Sequence, residues 1–145
     1  MGLSTHLLMP YADLSVTNLT IAGSMSAHAI TVEKTLSLAG QSNVSGLLKI
    51  KSHGTLTLSR NAEGDFFELE ADAVSIESKG LIEISDWDGL LCGESYRVVE
   101  SESLSGDASG WSGRNADGTV KARFEMRSDG LYLKLESCGT RIIIR

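Results

Sequence analysis

The stretch Leu19-Thr-Ile-Ala-Gly23 and its near copy Leu36-Ser-Leu-Ala-Gly40 decide the fold of this 145-residue chain. Each copy places two aliphatic residues two positions apart and ends in glycine. Residues two apart share one face of a β-strand, and glycine accepts the backbone angles of a sharp turn. The sequence between the copies repeats as well, since Ile30-Thr-Val32 returns as Leu48-Lys-Ile50. Repetition of a short strand and a turn predicts a solenoid or a fibre.

Alternation of apolar and polar residues continues outward from this stretch in both directions. Pairs of apolar residues two positions apart recur from Leu14/Val16 to Ile82/Ile84, with serine, threonine, lysine or glutamate on the other face. No window of about a dozen residues keeps the i, i+3, i+4, i+7 spacing of an amphipathic helix. The sequence therefore predicts an all-β chain.

The strands between residues 14 and 59 are short, and each contributes only single leucine, isoleucine or valine side chains. A lone chain of this kind is expected to form a thin ribbon that cannot cover its own apolar face. Three chains winding around a common axis are the smallest closed prism that covers it, so we expect an obligate homotrimer. The expected trimer core consists of Leu19, Ile21, Ile30, Val32, Leu36, Leu38, Leu48, Ile50, Leu56 and Leu58.

The last part of the chain carries a hairpin pattern. Residues 120–126 alternate, Ser128-Asp129-Gly130 supplies a turn, and residues 131–135 alternate again, which predicts two antiparallel strands. Arg141–Ile144 carries three consecutive isoleucines and predicts a further strand, buried on both faces.

These patterns predict three parts. Residues 1–12 form an N-terminal attachment arm, residues 13–90 a slender repetitive β shaft, intertwined or solenoid-like, and residues 91–145 a compact antiparallel β head. The arm has no basic lead and no cleavage signature, so we expect no signal peptide and synthesis in the cytoplasm. No run approaches the roughly 18 apolar residues that span a bilayer.

The net charge of -6 is distributed unevenly along the chain. Residues 61–108 carry 13 acidic and 2 basic side chains, whereas residues 1–60 and 109–145 are slightly basic. A nucleic-acid surface needs clustered lysine and arginine, so we expect no nucleic-acid partner. The acidic block is interpreted as a solvated strand face, with a docking surface for a basic partner or a weak cation site as the alternatives.

Residues that could carry chemistry are sparse, and we expect no catalytic residue, metal or cofactor. His6, His28 and His53 have no candidate nucleophile nearby, although three chains could bring His28 or His53 together on an axis. Asp86-Trp-Asp-Gly89 begins like a calcium loop, but its twelfth position is Arg97 rather than an acid. The loop Gly106-Asp-Ala-Ser-Gly110 is interpreted as a turn.

The cysteines and tryptophans leave alternatives open. Cys92 and Cys138 are interpreted as two small buried hydrophobes, with a single disulfide as the alternative. Trp87 and Trp111 each adjoin a polar turn and are candidates for surface contact, since an exposed indole can stack on a sugar. Either could instead be a buried anchor.

The stretch Leu19–Ala27, followed by Ile30-Thr-Val32 and Leu36–Gly40, resembles the repetitive shafts of trimeric bacteriophage fibres and spikes. The resemblance covers residues 13–60 and lies in the recurring units of two apolar residues followed by glycine, not in a diagnostic motif. It implies a virion structural protein: a short tail, neck or capsid fibre, a spike, or a baseplate component. Its arm would be anchored in the virion, and its head would contact a glycan or another part of the host surface, or another virion protein.

Two other functions remain open from the sequence. The repeats also resemble those of bactofilins, which are self-polymerising β-solenoids. Residues 61–145 could alternatively form a monomeric carbohydrate-binding β module. A fixed stoichiometry favours the virion protein, open filaments favour the polymer, and a monomer with sugar-quenched tryptophan fluorescence favours the carbohydrate binder.

Overall fold

The computed structural model describes residues 7–87, 90, 93–116 and 118–136, and residues 7–12 by their backbone alone. Within these ranges the chain is all-β, which confirms that part of the predicted fold class, and its strands belong to one large sheet. The same ranges contain no helix long and apolar enough to cross a membrane. The strands are β1 (Leu7–Ile21), β2 (Ser24–Leu38), β3 (Ser42–Ile50), β4 (Gly54–Leu58), β5 (Leu69–Ile76), β6 (Gly80–Ile84), β7 (Ser95–Glu100), β8 (Leu104–Gly106), β9 (Trp111–Arg114), β10 (Lys121–Arg127) and β11 (Gly130–Glu136).

Successive turns of the chain stack in parallel, as in a β-solenoid. β1 pairs with β2, which pairs with β3 and β4; these pair with β5 and β6, and those with β7, β8 and β9. We call each turn a rung: β1, β2, β3–β4, β5–β6 and β7–β9. Leu19 lies in register with Leu36, and Ile30 with Leu48, so the repeat predicted from the sequence is confirmed as the rung.

One corner of the solenoid shows how closely the rungs approach each other. Gly46 has a φ of 125°, and a Cβ built on it would lie 1.7 Å from the carbonyl oxygen of Ala27 on the rung before. Only glycine fits there, because the left-handed angle and the missing side chain are both required. Sharp corners of this kind let one chain return over itself.

All ten residues of the expected trimer core are buried, but a single chain buries them. The sheet bends at the corners, so the apolar faces of one rung meet inside the turn and stack on the next rung. The premise that a lone chain cannot cover its apolar face is therefore wrong. That premise counted only the rungs before residue 60. The stack continues beyond this residue, but longer loops there increase the spacing between registered residues and hide the repeat. That spacing is 17 between Leu19 and Leu36 and 26 between Leu56 and Ile82.

The predicted division into shaft and head does not appear in the sheet. β7, β8 and β9 lie beyond residue 90 and still pair in parallel with β5 and β6, so the solenoid crosses the proposed boundary. The proposed arm at 1–12 overlaps β1 as well, since Leu7–Met9 pair with Met25–Ala27. Residues 1–6 lie outside the described residues.

The predicted hairpin is confirmed and covers one end of the stack. β10 and β11 pair antiparallel from Lys121↔Glu136 to Arg127↔Gly130 around the turn Ser128–Asp129. β10 also pairs with β9, and β11 with β7, so both strands of the hairpin attach to the last rung. The strand predicted at Arg141–Ile144 lies outside the described residues.

Candidate functional site

A cleft opens where β6 and β9 separate. Their pairing ends at Leu81↔Ser112, whereas β9 stays paired with β10 on its other side from Ser112 to Arg114. Ile82 and Gly113 still approach closely, because a Cβ on Gly113 would lie 2.0 Å from the Ile82 carbonyl oxygen. Beyond this point the two strands diverge and leave a cleft of about 850 Å³, a size within the range of ligand sites. We call it the β6–β9 cleft.

The floor of the β6–β9 cleft is apolar and rigid. Ile82, Ile84, Trp111 and Ala122 line it and are buried. The indole of Trp111 is 0% exposed, and its Nε1 donates a hydrogen bond of 2.6 Å to the Glu77 carbonyl oxygen. These contacts fix the floor in place.

The rim of the cleft combines one exposed apolar side chain with hydroxyls and charges. Leu81 is 47% exposed, and Trp87 is half-buried at the end of β6. The charged side chains that line the cleft are Glu83, Arg114, Lys121, Arg123 and Glu136. The cleft therefore has one excess positive charge in a chain whose net charge is -6.

Two of the cations lie directly side by side. Arg114 of β9 is opposite Lys121 of β10, and both side chains are exposed. Within the part of the chain that the structure describes, neither makes an ion pair with a carboxylate, whereas Arg123 pairs with Glu136 at 2.7 Å. Like charges directly opposite each other on a sheet are unfavourable.

Both tryptophans singled out in the sequence line this one cleft, in different roles. Trp111 is not a surface contact, because burial leaves no face of its ring for a ligand; it is the anchor that the alternative interpretation described. Trp87 keeps part of its ring accessible on the wall. Sequence reasoning missed Leu81, although Leu81-Ile82 interrupts the alternation and thereby marks an apolar side chain on the outer face.

The candidate metal-binding and catalytic residues do not come together. The described residues contain no group of three His, Cys, Asp or Glu side chains that could hold an ion. His28 Nδ1 and Asp13 Oδ1 lie 2.7 Å apart on the surface, and Asp86 pairs with Arg60 at 3.2 Å. His53 is exposed at a corner, with a φ of 63°. His6, Asp88, Gly89, Cys92 and Cys138 lie outside the described residues.

The loop at 106–110 is a turn, as its sequence indicated. The Asp107 carboxylate accepts a hydrogen bond from the Ser109 backbone N–H at 2.9 Å. This bond lowers the pKa of Asp107, because it favours the ionised carboxylate. Ser109 is held by turn geometry.

Acidic side chains of the 61–108 block lie on the outer faces of the last rungs, and several have a local hydrogen-bond or ion-pair partner. Glu70 accepts a hydrogen bond from Asn43 at 2.7 Å. Lys51 pairs with Glu77 at 3.1 Å, and the bond from the Ser52 backbone N–H and this lysine lower the pKa of Glu77. This arrangement fits the interpretation of a solvated strand face.

The end of the solenoid opposite the hairpin has a free strand edge. Among the described residues β1 pairs with β2 and with no other strand, so its outer edge carries unpaired backbone groups. The side chains of Val16, Leu19 and Ile21 are buried against the next rung. This edge therefore offers hydrogen-bonding groups of the backbone rather than apolar surface.

Comparison with known proteins identifies no relative of this chain: no family model, curated protein or solved structure matches it.

Proposed function

We propose that this chain is a structural protein that assembles with further copies of itself through the free edge of β1. The observation that carries the proposal is the difference between the two ends of the stack. The hairpin β10–β11 pairs with the last rung, whereas β1 leaves a 15-residue edge without a strand partner among the described residues. Unpaired strand edges are ready templates for another strand.

The side chains along this edge do little to prevent pairing. Proteins protect free edges with lysine, proline or inward-pointing charge. In residues 13–21 the one charged side chain is Asp13, which His28 of the next rung contacts, and the exposed positions include Ser15, Thr17 and Asn18. Pro10 and two register shifts, between Met9 and Asp13 and between Val16 and Asn18, oppose pairing, and they leave the last residues of β1, 18–21, regular.

The proposed setting is a phage particle, in a short fibre, a spike or a baseplate. The rung repeat and its resemblance to phage shafts support this setting. One strand edge pairs with only one other, so identical β1 edges join two solenoids, each with its own core, about a two-fold axis. The expected trimer would need a contact between chains besides this edge. The hairpin end would then point away from the junction, where it could contact the host surface or another virion protein.

The two alternatives have less support. An open filament of the bactofilin kind needs two ends that accept a neighbour, and here the hairpin occupies one of them. A carbohydrate binder loses one of its two candidate stacking residues, because Trp111 is buried and only Trp87 is left for a sugar.

The proposal is tested by the solution mass of two matched double variants. Asn18→Lys with Thr20→Lys adds two cations to the free edge, and Thr35→Lys with Ser37→Lys adds them at the registered positions of β2, one rung inward. We expect the wild type to have a mass of at least twice 15.5 kDa by light scattering. The edge variant should associate about tenfold more weakly, because like charges would oppose each other across the junction.

The β2 variant is the control and should keep the mass of the wild type. Circular dichroism must show that both variants are folded. A 15.5 kDa wild type, or equal dissociation of both variants, contradicts assembly through β1.

A further inference from the structure

We propose that the β6–β9 cleft binds a short extended segment of a partner protein, with acidic side chains alternating with apolar ones. The inference does not depend on assembly through β1. Three observations carry it: a free stretch of strand edge, an apolar floor and a pair of neighbouring cations.

The free edge is the first observation. Ser85 N–H donates to the Leu58 carbonyl oxygen of β4, so the backbone groups of Ser85 point toward β4. Neighbouring residues of a strand point their backbone groups to opposite edges, so those of Ile84 point into the cleft. No strand of the described residues pairs with β6 there, since the register with β9 ends at Leu81. β6 ends at Ile84, so an added strand segment would bond to the N–H and the carbonyl oxygen of this one residue.

The floor determines which side chains such a segment carries on its inner face. Ile84 of β6 and Ala122 of β10 are buried and form this floor together with Trp111. Side chains of a strand alternate between faces, so every second residue of the segment would point to this floor. Valine or isoleucine at those positions would continue the interior of the solenoid.

The cations determine the side chains on the outer face. Arg114 and Lys121 alternate with the buried Gly113 and Ala122, and their side chains are therefore on the outside. A carboxylate placed between them would relieve the repulsion of two adjacent positive charges. The opposite wall carries Glu83, whose Oε1 is 3.5 Å from the Thr57 hydroxyl, and this carboxylate weakens the preference without reversing it.

The probe for this inference is the peptide acetyl-Gly-Val-Glu-Val-Glu-Gly-amide, titrated into the full chain by calorimetry. We expect saturable binding of one peptide per chain and a change in the fluorescence of Trp87. The peptide with lysine in place of glutamate should bind about tenfold more weakly, since two exposed ion pairs contribute this much. The peptide with N-methylated valines should not bind, because it cannot form the backbone ladder.

Charge reversal on the protein gives the matched variants. Arg114→Glu with Lys121→Glu should reverse the preference between the two peptides. Lys34→Glu with Lys49→Glu makes the same change in net charge on exposed positions of β2 and β3, and it should alter neither affinity by more than about twofold. Glu83→Gln should tighten binding of the acidic peptide.

Four outcomes would overturn the inference. They are the absence of saturable binding by the full chain, equal binding of the N-methylated peptide, binding of oligogalacturonate but of neither peptide, and peptide binding that occurs only after residues 137–145 are deleted. The third would make the cleft an anionic-glycan site, and the fourth would assign it to the end of this chain. None of them bears on the mass of the β1 variants, so the two proposals fail separately.

Discussion

Two regions of the solenoid fill their interior with different side chains. One is formed by the paired strands β2 and β4, and the other by β9, β10 and β11 at the end that the hairpin covers. In the first region Leu36 and Leu38 lie in register with Leu56 and Leu58, and all four are fully buried. In the second region one large ring, Trp111, fills the space. Its centroid lies 6.1 Å from that of Phe124 on the hairpin.

The difference shows two ways of packing the interior of one sheet. A stacked column of aliphatic side chains repeats from rung to rung, so each rung supplies the contacts of the next. The tryptophan occurs once and is held by a hydrogen bond to Glu77 and by the bare backbone of Gly80. The stability of the aliphatic column therefore depends on the exclusion of water and charge, whereas the stability of the end region depends on how closely one ring fits its surroundings.

The largest effect is expected where a charge enters the column. Leu38→Asp would bury a carboxylate among aliphatic side chains without a partner, at a cost of at least about 5 kcal/mol. Because this is comparable with the whole stability of a small domain, we expect loss of the folded state. The measurement is circular dichroism with thermal unfolding.

The control for Leu38→Asp is the neighbouring Ser37→Asp, whose side chain points outward on the same strand. It should leave a cooperative transition within a few degrees of the wild type. A folded Leu38→Asp variant that unfolds at the wild-type temperature would show that this column is not the core.

A smaller effect is expected where the fit of the tryptophan is disturbed. A Cβ at Gly80 would lie 2.4 Å from two carbon atoms of the Trp111 ring, and the ring cannot move without loss of its hydrogen bond. We expect Gly80→Ala to cost about 1–3 kcal/mol, measured by urea unfolding. At Gly40, in the regular region, the nearest atom to a Cβ is 3.1 Å away, so Gly40→Ala should cost less. Equal midpoints for the two variants would remove the distinction between the regions.

The same contrast explains which parts of the structure the sequence could predict. Alternation reports which side chains face inward, and a repeat reports register, so the rungs at Leu19, Leu36 and the hairpin were predictable. The number of chains that share the core was not, because the repeat is hidden by the longer loops at 59–68 and 85–94.

The cleft was beyond sequence reasoning for a different reason. It exists because the pairing of β9 with β6 ends at Leu81 while β9 stays paired with β10 on its other side, and no local sequence pattern indicates where two strands separate. A polar turn beside a tryptophan does not indicate whether its indole ring is buried, so Trp87 and Trp111 could not be distinguished from the sequence. The cations Arg114 and Lys121 are separated by six residues in the chain and become neighbours only through the register of β9 and β10.

The smallest effect is expected at the hairpin turn, outside both interiors. The Tyr132 hydroxyl donates to Asp129 Oδ2 at 2.9 Å, and Arg97 Nη1 lies 3.2 Å from the same oxygen; these contacts lower the pKa of Asp129. A carboxyl with a lowered pKa stabilises the fold above its unfolded pKa of about 3.9, and this contribution is lost as the pH falls through the folded value. Asp129→Asn should therefore lower the urea midpoint slightly at pH 7, and the gap from the wild type should shrink toward pH 3.

Glu102→Gln, an exposed change in the loop after β7, should show no such gap. A gap for Asp129→Asn that stays constant from pH 7 to pH 3 would mean that ionisation of this carboxyl does not hold the hairpin to the last rung.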